Sequence, residues 1–298
     1  MIFTPRRERR LAGRHALVDG IPFVMPVNSR TSPALMAAFP LDADAAANLL
    51  PGGEVHPLRL PNGRGLLVIT VIYYRDTDIG SYIEFSIAIA CTHGPRPLPR
   101  MLTGLALLPD FALSQYVVDL PVSTLVSVKG GKGVWGMPKH QANLDFNVED
   151  GIISSQYDID GELGVRIEID HPGGPRLPLR AAGVNYCAFR GMLMKSTVRF
   201  ASPAYVGAFR RARAHLYIGY APRVRSLRSL GISGRPLFTA YLPDSGGTLD
   251  DHFESWFLTS TDNITFRPEG MESVVDLEPS QEWLKPPSAP YGPEQWIP

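Results

Sequence analysis

The sequence predicts an α+β domain built mainly from antiparallel β-strands, and three observations carry that expectation. Glycine and proline are abundant, 28 of each in 298 residues, which favours many short strands and turns over long helices. Residues 66–74 form a continuous apolar, β-branched run, and residues 82–91 alternate between two faces. Asp150-Gly151 and Asp160-Gly161 separate further alternating runs, and Asp-Gly is a favoured sequence for a tight hairpin turn.

The elements follow in chain order. Residues 1–24 are a basic, loosely structured N-terminal segment with no apolar run of signal-peptide length. Residues 41–50 read as a short helix, with aspartates suiting the dipole of its first turn and Pro51-Gly52-Gly53 ending it. The run 66–74 is a buried strand. In 82–91, Tyr82, Glu84, Ser86 and Ala88 share one face while Ile83, Phe85, Ile87 and Ile89 share the other. The three prolines in 94–100 make a loop, and 115–120 and 122–128 read as two strands broken at Pro121. An antiparallel meander of 139–148, 152–157 and 165–169 comes next. Residues 221–230 set Val224, Leu227 and Leu230 at helical spacing ahead of Gly231, and 237–242 and 253–258 add strands. Residues 276–298, rich in proline and without periodicity, are an extended tail expected to pack over the body or a neighbouring subunit.

Composition narrows the function. Lys+Arg and Asp+Glu stand at 29 each, so no global field draws the chain to nucleic acid or an anionic membrane. No run approaches the roughly 18 apolar residues of a membrane span, and a cytoplasmic protein is expected. Cys91 and Cys187 lie in apolar surroundings and read as buried thiols. The histidines show neither HxH nor HExxH spacing, so a metal centre has no support. Gly130-Gly131-Lys132-Gly133 lacks the spacing of a phosphate loop. The arginines at 210, 211, 213, 223, 225 and 228 stand in a chain of zero net charge and read as a solvated face or a subunit contact.

The stretch around Lys139 carries the chemistry. From Lys139 every second residue is polar (Gln141, Asn143, Asp145, Asn147), and the residues between are mostly apolar. A lysine at the mouth of such a strand, behind a stiff Trp-Gly-Met-Pro turn, can be presented to a cavity. In a dry cavity its amine loses charge and attacks carbonyl carbon.

Trp135-Gly136-Met137-Pro138-Lys139-His140 resembles the aromatic-x-Pro-Lys-Lys segment of acetoacetate decarboxylases. The resemblance spans roughly residues 25 to 200 and implies a cone-like closed β-barrel with flanking short helices, occupying residues 25–275 as one domain. It also implies that Lys139 forms a Schiff base with a ketone substrate, and that self-association is common. The segment Thr77-Asp78-Ile79-Gly80-Ser81-Tyr82-Ile83-Glu84 resembles the one that carries the family's active-site glutamate, which makes Glu84 the counterpart. Asn28-Ser29-Arg30 is similar to the segment that supplies a carboxylate-binding arginine, which offers Arg30. Two departures stand out: the second lysine of the motif is His140, and Lys132-Gly133 stands where the family commonly has Arg-Glu ahead of the aromatic. The strand period turns His140 away from Lys139, so activation is expected to come mainly from burial.

Lys139 and Glu84 are thus the expected catalytic residues. Tyr82, Arg30, Glu254 and Trp135 are expected substrate contacts; Tyr82 shares the face of Glu84, and Glu254 interrupts the aromatic run His252-Phe253-Glu254-Ser255-Trp256-Phe257. His140 and Gln141 are expected to support the site from behind. The expected function is a lyase acting on small oxo acids, by decarboxylation or by aldol condensation and dehydration with an aldehyde co-substrate. Loss of the second lysine favours the aldol branch. No cofactor is called for, because the lysine is the electron sink. The alternative is a barrel that binds a small acidic metabolite without turnover.

Overall fold

The computed structural model describes residues 14–51, 53–100 and 113–258. The predicted tail, 276–298, and the first 13 residues lie outside them. Strands β1 (Arg14–Val18) and β2 (Ile21–Met25) form a hairpin within the segment expected to be loose. After them come β3 (Val27–Leu41), helix α1 (Ala43–Ala47), β4 (Val55–Pro57), β5 (Gly65–Tyr74), β6 (Asp76–Thr77) and β7 (Tyr82–His93). Then follow β8 (Leu113–Val122), helix α2 (Leu125–Trp135), β9 (Lys139–Gln141), β10 (Asn143–Leu144) and β11 (Asn147–Glu149). The rest are β12 (Ile152–Ile159), β13 (Glu162–Asp170), β14 (Leu177–Phe189), β15 (Met192–Ala208), β16 (Ala214–Ile218) and β17 (Phe238–Phe257).

Seven strands close into a ring: β7, β5, β3, β17, β15, β14 and β8, with β8 returning to β7. An odd ring cannot close with every neighbour antiparallel, and one parallel pairing, β14 with β8, resolves this. One contiguous apolar cluster draws on all seven, with Leu35, Ile69, Phe85, Tyr116, Tyr186, Leu193 and Tyr241 among its members. That convergence marks the inside of the barrel. A second sheet, β10–β12–β13–β16 with β11 beside β12, adds Ile153, Tyr157, Val165, Ile167 and Ile169 to the same cluster. Full burial of such side chains contributes about 1.5–3 kcal/mol each.

The two Asp-Gly hairpins are as the sequence predicts. Asp150, Gly151, Asp160 and Gly161 all take positive φ, the backbone a type I′ turn requires. Other elements differ. Pro121 does not break a strand, because β8 runs through it and ends one residue later. Residues 125–135 are helix α2 and not strand. The two strands expected at 237–242 and 253–258 are one long strand, Phe238–Phe257, and 222–229 is a 3-10 helix that still buries Val224 and Leu227. The expected strand 139–148 is three pieces. β9 pairs with β8 of the barrel, whereas β10 and β11 pair with β12 of the second sheet. Ala142 marks the crossing between the two sheets, its N–H donating to the Val122 carbonyl at 3.0 Å. Asp145 separates β10 from β11, its carboxylate accepting from the Gln156 backbone N–H at 2.7 Å.

Among the described residues, no helix is long and apolar enough to cross a membrane.

Candidate active site

Helix α2 presses Lys139 against the barrel wall. Thr124 caps its start, its hydroxyl accepting from the Ser127 backbone N–H at 3.4 Å. Gly136, at φ 65°, ends it in the left-handed conformation that favours glycine. The chain then turns through Met137 and Pro138, and the Lys139 N–H donates to the Met137 carbonyl at 2.7 Å. Trp135 and Met137 are buried with Met25, Val27, Val117, Leu120, Cys187 and Met194, so the turn is anchored on apolar surface.

The helix glycines explain how close the helix can lie. A Cβ on Gly131 would stand 2.3 Å from Lys139 Cδ, and one on Gly130 would stand 2.7 Å from the Phe23 ring. One on Gly133 would meet Val18 at 2.5 Å. These glycines are poor helix formers, and contact is what they supply in return.

Lys139 is 5% exposed. Its Nζ lies 2.7 Å from Glu84 Oε2 and donates to Ser127 Oγ at 3.0 Å. The same nitrogen stands 5.4 Å from the centroid of the Tyr82 ring. The Tyr74 hydroxyl is 3.5 Å from Glu84 Oε1, and the Tyr74 and Tyr82 rings stack at 4.6 Å. Burial, and then the charge of Glu84, raise both phenols well above their ordinary value. Both are therefore protonated donors at neutral pH. The resulting cluster brings together an amine, a carboxylate, an aliphatic hydroxyl and two phenols.

Glu84 and Tyr82 point to the face of β7 opposite Phe85, Ile87 and Ile89. The face of β7 that carries Tyr82 and Glu84 thus lies outside the apolar barrel interior, beneath α2.

His140 is turned to the other side. Its Nε2 is 3.0 Å from Asp119 Oδ1, which also accepts from Arg223 Nε at 2.9 Å. The Tyr157 hydroxyl donates to Asp119 Oδ2 at 3.1 Å. Burial pushes the Asp119 carboxyl up, but His140 and Arg223 outweigh it and hold the group below its ordinary value.

The other expected site residues are placed elsewhere. Arg30 is half-exposed and paired with Asp76 and Asp78. Glu254 is half-exposed and bonded to Lys195 at 2.9 Å. Gln141 is exposed and donates to the Ser123 carbonyl at 3.3 Å. Trp135 is buried as the last residue of α2.

Sequence reasoning missed Ser127, Tyr74, Asp119, Tyr157 and Arg223. Asp119 carried a readable signal, a carboxylate inside the apolar run Val117-Val118-Asp119-Leu120. Ser127 was hidden because its segment reads as strand.

Fold and site together define a closed-barrel protein with a buried lysine–carboxylate pair. The profile of one family, acetoacetate decarboxylase (ADC), matches residues 13–186, and the chain belongs to that family. Among solved structures, acetoacetate decarboxylase from Legionella pneumophila aligns at 11% identity over 76% of this chain and 85% of its own, with a TM-score of 0.55. The enduracididine biosynthesis enzyme MppR complexed with pyruvate aligns at 17% identity over 79% and 91%, with a TM-score of 0.51. An acetoacetate decarboxylase-like enzyme from Sphingomonas wittichii RW1 aligns at 13% over 78% and 94%, with a TM-score of 0.51. At these identities the likeness is one of fold. No curated protein matches the chain.

Proposed function

We propose that the chain is a lyase that forms a Schiff base between Lys139 and a small oxo acid. The observation that carries this reading is the pairing of Lys139 Nζ with Glu84 Oε2 at 2.7 Å in a buried setting. A carboxylate at that distance can take the ammonium proton and leave a free amine. The amine attacks the ketone carbon, and loss of water from the carbinolamine gives an iminium. With a 3-oxo acid, the bond to the carboxylate breaks, its electron pair moves to the iminium nitrogen, and carbon dioxide leaves. Protonation of the enamine and hydrolysis then free the ketone and the lysine. With a 2-oxo acid, loss of a proton from C3 gives an enamine that adds to an aldehyde, and water is then eliminated.

The aldol branch is the one we favour. His140 stands where the family motif has its second lysine, and it is bonded to Asp119 instead of lying beside the amine. MppR has been solved complexed with the condensation product of pyruvate and imidazole 4-carboxaldehyde, a product of the class this branch yields. Glu84 and the protonated Tyr74 and Tyr82 are the groups at hand to move protons and hold the oxygen.

Incubation with pyruvate or acetoacetate, borohydride reduction and peptide mass mapping test the proposal. The expected result is one adduct, on Lys139, lost in Lys139→Ala. An adduct that persists in that variant sinks the assignment, and no adduct with any oxo acid favours the non-catalytic barrel. Carbon dioxide from acetoacetate, against new absorbance with pyruvate plus an aldehyde, separates the two branches.

A further inference from the structure

Three arginines that serve neither the fold nor the lysine site share one cleft. Arg210 and Arg211 belong to the single 3-10 turn Phe209–Arg211, and Arg213 follows buried Ala212. All three are exposed and line a half-open cleft of about 600 Å³. The connection between β13 and β14 supplies further wall, including His171, Gly173 and the one acid of the lining, Asp170. Among the described residues, Arg210, Arg211 and Arg213 pair with no carboxylate, whereas Arg30, Arg59, Arg166 and Arg223 all do. With a net charge of zero over the whole chain, this is a local concentration of positive charge.

The wall facing solvent here is ordered. The Gly173 N–H donates to His171 Nδ1 at 3.1 Å, which leaves Nε2 as the ring's donor. The His171 ring lies against Tyr205 at 4.4 Å and Tyr241 at 5.5 Å. Phe209 holds φ 52° and is 76% exposed, a conformation disfavoured for a bulky residue.

We propose that this cleft binds a small phosphate-bearing anion at a site separate from Lys139. Guanidinium groups match phosphate oxygens in a two-pronged geometry, and His171 Nε2 adds a further donor. Concavity favours a small ligand over a nucleic-acid strand, which wants an extended basic track. Leu177, at the start of the 13-residue strand β14, lines the cleft, and Phe189 at its far end packs on Gly136 beside the lysine turn. At roughly 3.3 Å per residue, about 40 Å of strand separates the two sites. An anion held here does not touch Lys139.

Titration calorimetry of the full chain with inorganic pyrophosphate, against sulfate at matched ionic strength, tests this. A saturable heat with one pyrophosphate per chain is expected, weakening as salt is raised. In R210Q/R211Q/R213Q the affinity should fall at least tenfold with the melting temperature unchanged, and R211Q alone should fall between. If the triple variant does not fold, R211Q with wild-type melting decides the matter. No saturable heat, or equal affinity in the variants, overturns the proposal, as does sulfate binding as tightly as pyrophosphate. Sedimentation separates the remaining case. An assembly that comes apart in the triple variant, with no pyrophosphate bound by the wild type, makes the cleft a subunit contact and also overturns it.

Discussion

Glu84 and Lys139 meet across a strand to which neither belongs. Glu84 lies on β7 opposite Val122 of β8, and Lys139 lies on β9 opposite Leu120 of the same strand. Their side chains close over the end of β8 at 2.7 Å. The pair is therefore set by barrel closure between β7 and β8 together with the parallel docking of β9.

Glu84→Gln keeps the shape and removes the charge. If Glu84 takes the lysine proton, the rate of borohydride-trappable adduct formation at neutral pH should fall by about 10²–10⁴-fold. Stability should fall by about 1–3 kcal/mol, because glutamine still accepts one hydrogen bond from the buried amine. Stopped-time trapping with pyruvate checks the first point and urea denaturation the second. Trapping at the wild-type rate would remove Glu84 from the chemistry.

Gly131→Ala should harm a helix that alanine ordinarily improves. In an open helix interior this change gains about 0.5–1 kcal/mol. Here the new methyl would lie 2.3 Å from Lys139 Cδ, so either the lysine or the helix must shift. Net destabilisation of about 1–3 kcal/mol is expected, with slower adduct formation. Gly183→Ala, where a Cβ meets nothing within 4 Å, is the control for stability. A stabilised, fully reactive Gly131→Ala protein would refute the close packing of α2 on Lys139.

The parts of this molecule legible in its sequence are those fixed by local chemistry. Asp150-Gly151 and Asp160-Gly161 specify their turns through φ alone, and Tyr82 to Cys91 reads as a strand because its alternation survives in the fold. The same alternation sends Lys139 and His140 to opposite faces, one to Glu84 and the other to Asp119. Helix α2 was not legible, because Gly130, Gly131 and Gly133 argue against a helix unless their contacts with Phe23, Lys139 and Val18 are known. Those contacts are tertiary, and with them went Ser127. Arg223 was equally hidden: it reaches Asp119 from 104 residues away, a distance no spacing rule spans.

Both cysteines should be inert in the folded protein. Burial pushes the Cys187 thiol up to about 12, and it donates to the Gly136 carbonyl at 3.2 Å. Burial raises Cys91 as well. Since the thiolate is the reactive form, neither should react with an aromatic disulfide at pH 8 until urea unfolds the chain. Two equivalents should then react together. Fast titration of Cys187 in the native state would show that the Trp135-Gly136 turn opens.

Asp119 should make the fold sensitive to acid in a defined window. Burial raises its carboxyl, but His140 and Arg223 hold it below the ordinary 3.8. A carboxyl depressed in the folded state contributes stability that is complete above its unfolded value and is lost as pH falls through its folded value. Asp119→Asn leaves His140 and Arg223 facing each other without their anion, and should cost about 3–5 kcal/mol at pH 7. The Tyr157 hydroxyl, whose phenol is raised by burial and then by the charge of Asp119, loses the charge on its acceptor in the same step. Below pH 4 the wild type forfeits this contribution while the variant has none to lose. Urea midpoints at pH 7, 4 and 2.5 should therefore converge on acidification, and a gap that stays constant across that range would rule out Asp119 as the charged hub of the cluster.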